Sequence, residues 1–129
     1  MAFNVKSGSV ALNTGTGNQG VTGVGFMPKV LIFYGNDLTT DGSSADALAG
    51  FGIATSSTNQ ATYSYMGEDA QVTSDAATKY NSAAAYIFVT EAETSLLEAT
   101  LVTMDTDGFT INIGTASGAA NILNYLALG

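Results

Sequence analysis

An antiparallel β-sandwich, all-β and jelly-roll-like in a single domain, is the fold class this sequence predicts. Three observations carry that expectation. Short runs rich in Val, Ile, Thr, Tyr and Phe recur along the chain, and such residues suit a pleated, half-buried surface. Clusters of Gly, Asn, Asp and Ser separate the runs at short intervals, as turns between strands require. No long segment holds a convincing helical period, and a layered fold of short strands then closes as a sandwich or barrel. At 129 residues the chain suffices for one core, so residues 1–129 are expected to form one domain, with 1–14 an N-terminal arm or edge strand.

Taken in order, Phe3, Val5 and Ser7 alternate with polar neighbours, and Ser9 to Leu12 continues an extended segment. A first strand or pair is expected there. Gly15 to Gly20, GTGNQG, is expected to be a flexible inter-strand loop. Val30-Leu31-Ile32-Phe33-Tyr34 follows Pro28 and ends at Gly35, a β-branched and aromatic run suited to a buried strand. Its alternation puts Val30, Ile32 and Tyr34 on one face and Leu31 and Phe33 on the other, so it is either central or covered on its outer side. Residues 36 to 49, NDLTTDGSSADALA, are loop formers, and a surface loop of that length is often functional. Gly50 to Thr55 and then Ala61, Tyr63 and Tyr65 predict a hairpin around Ser56 to Asn59.

The polar stretch from Gly67 to Lys79 is expected to be irregular, and Ala83 to Val89 a buried strand. Glu91 to Leu101 contains good helix formers at helical spacing. A strand from Leu96 to Met104 is nonetheless expected, because Asp105-Thr106-Asp107-Gly108 then supplies a hairpin turn into the alternating Phe109 to Ile113. Ile122 to Leu128 closes the chain, giving seven or eight strands.

Charge and composition exclude several functions. Three lysines and no arginine stand against 11 acids, a formal charge of −8, which repels nucleic acid and anionic lipid. Neither nucleic acid nor membrane is an expected partner. No apolar run is long enough to cross a bilayer, and the opening MAFNVKSGSV lacks the basic start and apolar stretch of a signal peptide. Without cysteine there is no disulfide framework, thiol nucleophile or thiolate-bound metal.

Two motifs invite a cofactor or an ion. GTGNQG matches the dinucleotide fingerprint G-x-G-x-x-G, and Asp37 follows at the spacing of a ribose-binding acid. The fingerprint works only where it opens a helix, yet Gly23, Gly25 and Pro28 follow within a few residues, so no cofactor is expected. Asp105 and Asp107 resemble the start of a calcium loop, but Thr110 and Ala116 stand where its glycine and bidentate Glu belong. They are metal candidates of the weakest kind, in what is expected to be a β-turn.

A glycosidase pair would be drawn from Glu91, Glu93 and Glu98, or from Glu68 with Asp69. Sequence spacing leaves their separation open. With histidine, cysteine and arginine all absent, the usual bases and anion clamps are missing, so surface acids and no enzymatic activity are expected. Of six tyrosines, Tyr63 and Tyr65 share a strand face, with Tyr34, Tyr80, Tyr86 and Tyr125 elsewhere. They suit a sugar-stacking or protein-contact surface, and the blander expectation is that most sit at the core edge.

The segments GVGFMPKVLIFYG (Gly23 to Gly35), GFGIATSSTNQATYSY (Gly50 to Tyr65) and DGFTINIGTASGAANILNYLALG (Asp107 to Gly129) resemble small β-sandwich modules of tailed bacteriophages. The likeness lies in a G-x-x-F-x-P-K opening, a D-G-F-T hairpin and a terminal Y-L-A-L-G. It implies a virion component at the outer capsid surface: a decoration, or cement, protein that binds the major capsid protein and assembles as a trimer. Lattice contacts are then expected from the arm Ala2, Phe3, Asn4 and Val5, which suits strand addition, and from the loop residues Asn36, Asp37, Leu38, Asp41 and Asp46. The alternative is a tail or fibre module that recognises a host glycan through Tyr63, Tyr65 and loop carboxylates. Related modules often carry a tryptophan where this chain has Ile111-Asn112-Ile113-Gly114, so no sugar platform is expected there.

Overall fold

The computed structural model describes residues 2–73 and 75–129. Met1, at the start of the expected arm, and Ser74, in the expected irregular stretch, lie outside the described residues. The described chain forms ten strands: β1 (Val5–Ala11), β2 (Gly17–Thr22), β3 (Val30–Asn36), β4 (Ala47–Ser56), β5 (Asn59–Gly67), β6 (Ala76–Asn81), β7 (Tyr86–Val89), β8 (Ser95–Asp105), β9 (Gly108–Thr115) and β10 (Ile122–Leu128). A six-stranded sheet ordered β1-β10-β3-β4-β5-β6 packs on a four-stranded sheet ordered β2-β9-β8-β7. Every pairing is antiparallel, and the fold is the β-sandwich the sequence predicts.

Several expectations are corrected. Of the expected loop 36–49, Asn36 ends β3 and Ala47 to Ala49 open β4, and the described strands number ten rather than seven or eight. Of Gly15 to Gly20, read as flexible loop, Gly17 to Gly20 belong to strand β2, which pairs with β9. Gln19 anchors it, accepting the Asn13 N–H at 2.7 Å and donating to the Ala11 carbonyl at 2.8 Å. Within Gly67 to Lys79, read as irregular, Ala76 to Lys79 belong to β6 and pair with β5. Both strands lie at sheet edges, where one flank needs no pairing and little side chain is buried, so neither carries a run of large apolar residues. The contested segment after Glu91 is strand β8, because its register on β9 buries Leu97, Ala99 and Leu101.

The central core joins Leu31, Phe33, Leu123 and Tyr125 of the larger sheet to Leu97, Leu101, Phe109, Ile111 and Ile113 of the smaller. Phe109 meets Phe33 and Tyr125 edge-on, with centroids 5.5 and 5.2 Å apart, the arrangement favoured by ring quadrupoles. Strand β3 is central, and it buries Leu31 and Phe33 while Tyr34 faces outward.

The β4–β5 hairpin is built differently. Its inward residues are Gly50, Gly52 and Ala54 on β4 and Gln60, Thr62, Ser64 and Met66 on β5. Apart from Met66 and its partner Leu48 on β4, they are small or polar because the backbone from Ala85 into β7 lies directly against them. A Cβ on Gly52 would overlap the Ala85 carbonyl oxygen, and one on Gly50 would stand 2.5 Å from that of Ile87. Polar side chains then join the sheets: Ser64 Oγ accepts the Val89 N–H at 3.2 Å and donates to the Ala49 carbonyl at 2.7 Å. Gln60 Oε1 accepts the Leu101 N–H at 2.8 Å. These bonds satisfy groups that burial would otherwise leave unpaired.

Candidate functional site

With glycine and hydroxyl residues turned inward, alternation forces the large side chains of β4 and β5 outward. Phe51, Ile53, Tyr63 and Tyr65 all face solvent. Cross-strand register extends them into a row. Tyr34 stands opposite Phe51, Phe51 opposite Tyr63, and Tyr63 opposite Tyr80, so four aromatic residues lie side by side across β3, β4, β5 and β6. Phe51 and Tyr63 have ring centroids 6.2 Å apart. Their exposures are 44% and 50%, and that of Tyr80 is 69%. A second row, Leu126, Ile32, Ile53 and Ala61, runs beside the first.

This face carries no charge. The six strands contain only Lys6 and Lys79, and both fall on the inward phase of edge strands, opposite Ala127 and Ser64. Lys79 Nζ donates to Ser95 Oγ at 2.9 Å. An exposed apolar patch of this extent makes the face a candidate contact surface. The expectation that most tyrosines sit at the core edge is corrected: Tyr34, Tyr63, Tyr65 and Tyr80 are exposed on this one face, and Tyr86 and Tyr125 are buried. Register, which sets the relation between strands, was the missing information.

The acids gather at one pole. The loop after β3 holds Asp37, Asp41 and Asp46, the loop after β5 holds Glu68, Asp69 and Asp75, and the turn after β7 holds Glu91 and Glu93. Asp46 Oδ1 accepts the Asp69 N–H at 3.0 Å, tying the first two loops together. Glu68, Asp75 and Glu91 bring carboxylate oxygens within 4.8 Å of one another. A hydrogen bond shared with Asp75, and then the charges of Asp75 and Glu68, hold the Glu91 carboxyl above its ordinary value. Sequence reasoning missed Asp75, which is remote from Glu91 in the chain and joins it only through the packing of β6 and β7.

Asp105 and Asp107 spend their oxygens within the fold. Asp105 accepts from the hydroxyls of Thr103 and Thr110, both at 2.7 Å, and these bonds hold its carboxyl below the usual value. Asp107 accepts the N–H groups of Gly23 at 3.0 Å and Gly25 at 2.6 Å. Both glycines have positive φ, 82° and 90°, which aims successive amides at one anion.

The two expected contact segments lie at opposite ends of β10. Asn4 exchanges backbone hydrogen bonds with Gly129, and Val5 pairs with Leu128, so Val5 opens edge strand β1 and Asn4 is tied to the chain's last residue, while Ala2 and Phe3 precede them and all four stay exposed. Near the other end, the Leu38 carbonyl accepts the Ile122 N–H at 3.0 Å, and Asn121 donates to the Asp37 carbonyl. The loop from Asp37 to Asp46 thereby overhangs the outward face. Beneath it opens a cleft of about 680 Å³ lined by Tyr34, Asn36, Leu38, Thr40, Asp41 and Asn124. Asp37 and Asp46 border a smaller neighbouring cleft. No helix among the described residues is long and apolar enough to cross a membrane. No protein family, curated protein or solved structure matches this chain.

Proposed function

We propose that this chain is a structural protein of a tailed-bacteriophage virion, a capsid decoration protein that binds and stabilises the outer shell. The observation that carries the reading is the division of the surface into an acidic pole and a charge-free aromatic face. Such a surface is suited to assembly. The pole offers charge complementarity to a basic rim on the shell, which accelerates encounter and sets orientation. The face offers apolar area for contact between subunits of the assembly. Binding that favours the mature lattice stabilises that state by mass action, and symmetric copies multiply weak contacts. The phage-like motifs from Gly23 onward support the same reading.

Quantitative mass spectrometry of purified particles tests it. The expected result is a simple symmetric ratio of this chain to the major capsid protein, whereas a handful of copies or none would overturn it. Attachment through the acidic pole also predicts release from particles as salt is raised.

The cleft under the Asp37 to Asp46 loop favours a second reading, a tail or fibre module for a neutral host glycan. Tyr34 supplies a ring for stacking, Asn36, Asn124 and Asp41 supply hydrogen-bonding groups, and no lysine lines the cleft to attract an anion. A glycan array probed with the isolated domain is the test: saccharide binding lost in Tyr34→Ala supports this reading, and an array without a hit removes it.

A further inference from the structure

We infer that the aromatic face of the six-stranded sheet is the surface through which two copies of this chain pair. Three features point to a second copy as the occupant. First, the face offers nothing to a charged partner, since none of its outward strand positions bears a charge. Its partner must present an apolar, neutral surface, and a second copy does so by construction. Second, each copy carries a formal charge of −8, and like charges in contact oppose association. Eight of the 11 acids lie in the polar loops around Asp37 to Asp46, Glu68 to Asp75 and Glu91 to Glu93, at the end of the face that the Asp37 to Asp46 loop overhangs, so the strand positions around Phe51 and Tyr63 are the ground where two copies meet with the fewest apposed carboxylates.

Third, the dimensions fit. Six strands about 4.8 Å apart and about six residues long at about 3.3 Å per residue give a footprint of roughly 24 by 20 Å in projection. At about 480 Å² per copy in projection, the face has the size of a weak, concentration-dependent interface rather than a permanent one. Sheets stack face to face about 10 Å apart through interdigitating side chains, so pairing repeats outside the molecule the packing that forms its core. The contact is isologous: the Phe51 and Tyr63 region of one copy meets the same region of the other about a two-fold axis. Tyrosine suits it, because the ring is buried while the hydroxyl reaches the wet rim.

The inference deepens the assembly reading and rests on it, with a two-fold pair in place of the trimer that the phage-like motifs imply, yet the two fail separately, since the isolated chain tests pairing and particle copy number tests the virion role. Analytical ultracentrifugation of the purified chain, at low and high salt over a wide concentration range, should show a monomer–dimer equilibrium that salt strengthens by screening the acidic pole. Phe51→Asp should weaken the dimer by at least about tenfold, the scale of one central aromatic anchor, with the strand signature in circular dichroism retained. Thr100→Asp, on the outward face of the opposite sheet, should leave the dimer unchanged. In the wild type, concentration-dependent amide shifts should centre on Ile53, Tyr63 and Tyr80, a readout that needs no variant to fold. A monomer at every concentration, a trimer without a dimer, association that survives Phe51→Asp, or shifts centred on another surface would each overturn the proposal.

Discussion

The β4–β5 and β8–β9 hairpins are built inside out with respect to each other. In β8–β9 the inward set is Leu97, Ala99, Leu101, Phe109, Ile111 and Ile113, and the outward set includes Thr100, Thr110 and Asn112. In β4–β5 the inward set is glycine, alanine, hydroxyl and amide residues, with Leu48 and Met66 the large apolar members at one end, and the outward set holds Phe51, Ile53, Tyr63 and Tyr65. Both alternate with the same period. Period alone therefore says that two faces differ, and what packs on them says which is buried. Behind β8–β9 there is room for side chains, whereas behind β4 the Ala85 backbone that leads into β7 leaves room for none at Gly52. Aromatic residues placed outward by such a constraint are surface by design of the packing, which is why that face is the candidate site.

The largest expected effect strikes the cause of the inversion. Gly52→Val would drive a side chain into the Ala85 carbonyl and should cost more than about 4 kcal/mol or prevent folding. Gly20→Val, whose Cβ meets nothing nearer than Thr110 Oγ1 at 3.9 Å, should change stability by less than about 0.5 kcal/mol. Urea denaturation of the pair decides whether backbone proximity sets the orientation of β4.

Matched truncations come next. Ile111→Ala should cost about 2–5 kcal/mol, as a buried aliphatic does. Phe51→Ala, measured on dilute monomer, should cost under about 1 kcal/mol, the loss of a cross-strand pair. Equal losses would mean that Phe51 is core and that the two hairpins are not opposites.

Ser64→Ala removes the hydroxyl that serves both Val89 and Ala49. With the Val89 N–H left unpaired in the interior, the loss should be about 1–3 kcal/mol, read as a lower urea midpoint. No change would show that the sheets at this end do not depend on polar bridging.

The smallest effects are pH effects of opposite sign. Asp105, held below its ordinary value, contributes stability that is present above the unfolded-state pKa and lost as pH falls through the folded one. Glu91, held above its ordinary value, contributes stability that is present below the unfolded-state pKa and lost as pH rises through the folded one. Asp105→Asn should therefore flatten the acid limb of the stability profile. Glu91→Gln should relieve the decline on its upper side, because the charge it removes is the one facing Asp75 and Glu68. Profiles of the two variants that shift in the same direction would contradict the geometry of the acidic pole.

Much of the fold was legible because strands with one buried face carry apolar residues at alternate positions and turns must contain residues that tolerate them. Val30 to Tyr34, the hairpin between β4 and β5, and Ile122 to Leu128 declared themselves in this way. Strands β2 and β6 did not, since an edge strand such as Gly17-Asn18-Gln19-Gly20 can be as polar as a loop. The tyrosine phase at 63 and 65 was visible in the sequence. Their alignment with Tyr34, Phe51 and Tyr80 was not, because register between strands distant in sequence depends on how the sheet is assembled.

By itself the sequence determined the strand-forming runs, the turns, the acidity and the absence of histidine, cysteine and arginine, since each is a local or summed property of residue types. Tertiary structure alone decided which phase of each strand faces the core, which aromatic residues become neighbours, and which acids share a pole. Those are relations between segments far apart in the chain, fixed only when packing forces each strand to present one side to its neighbours and the other to water.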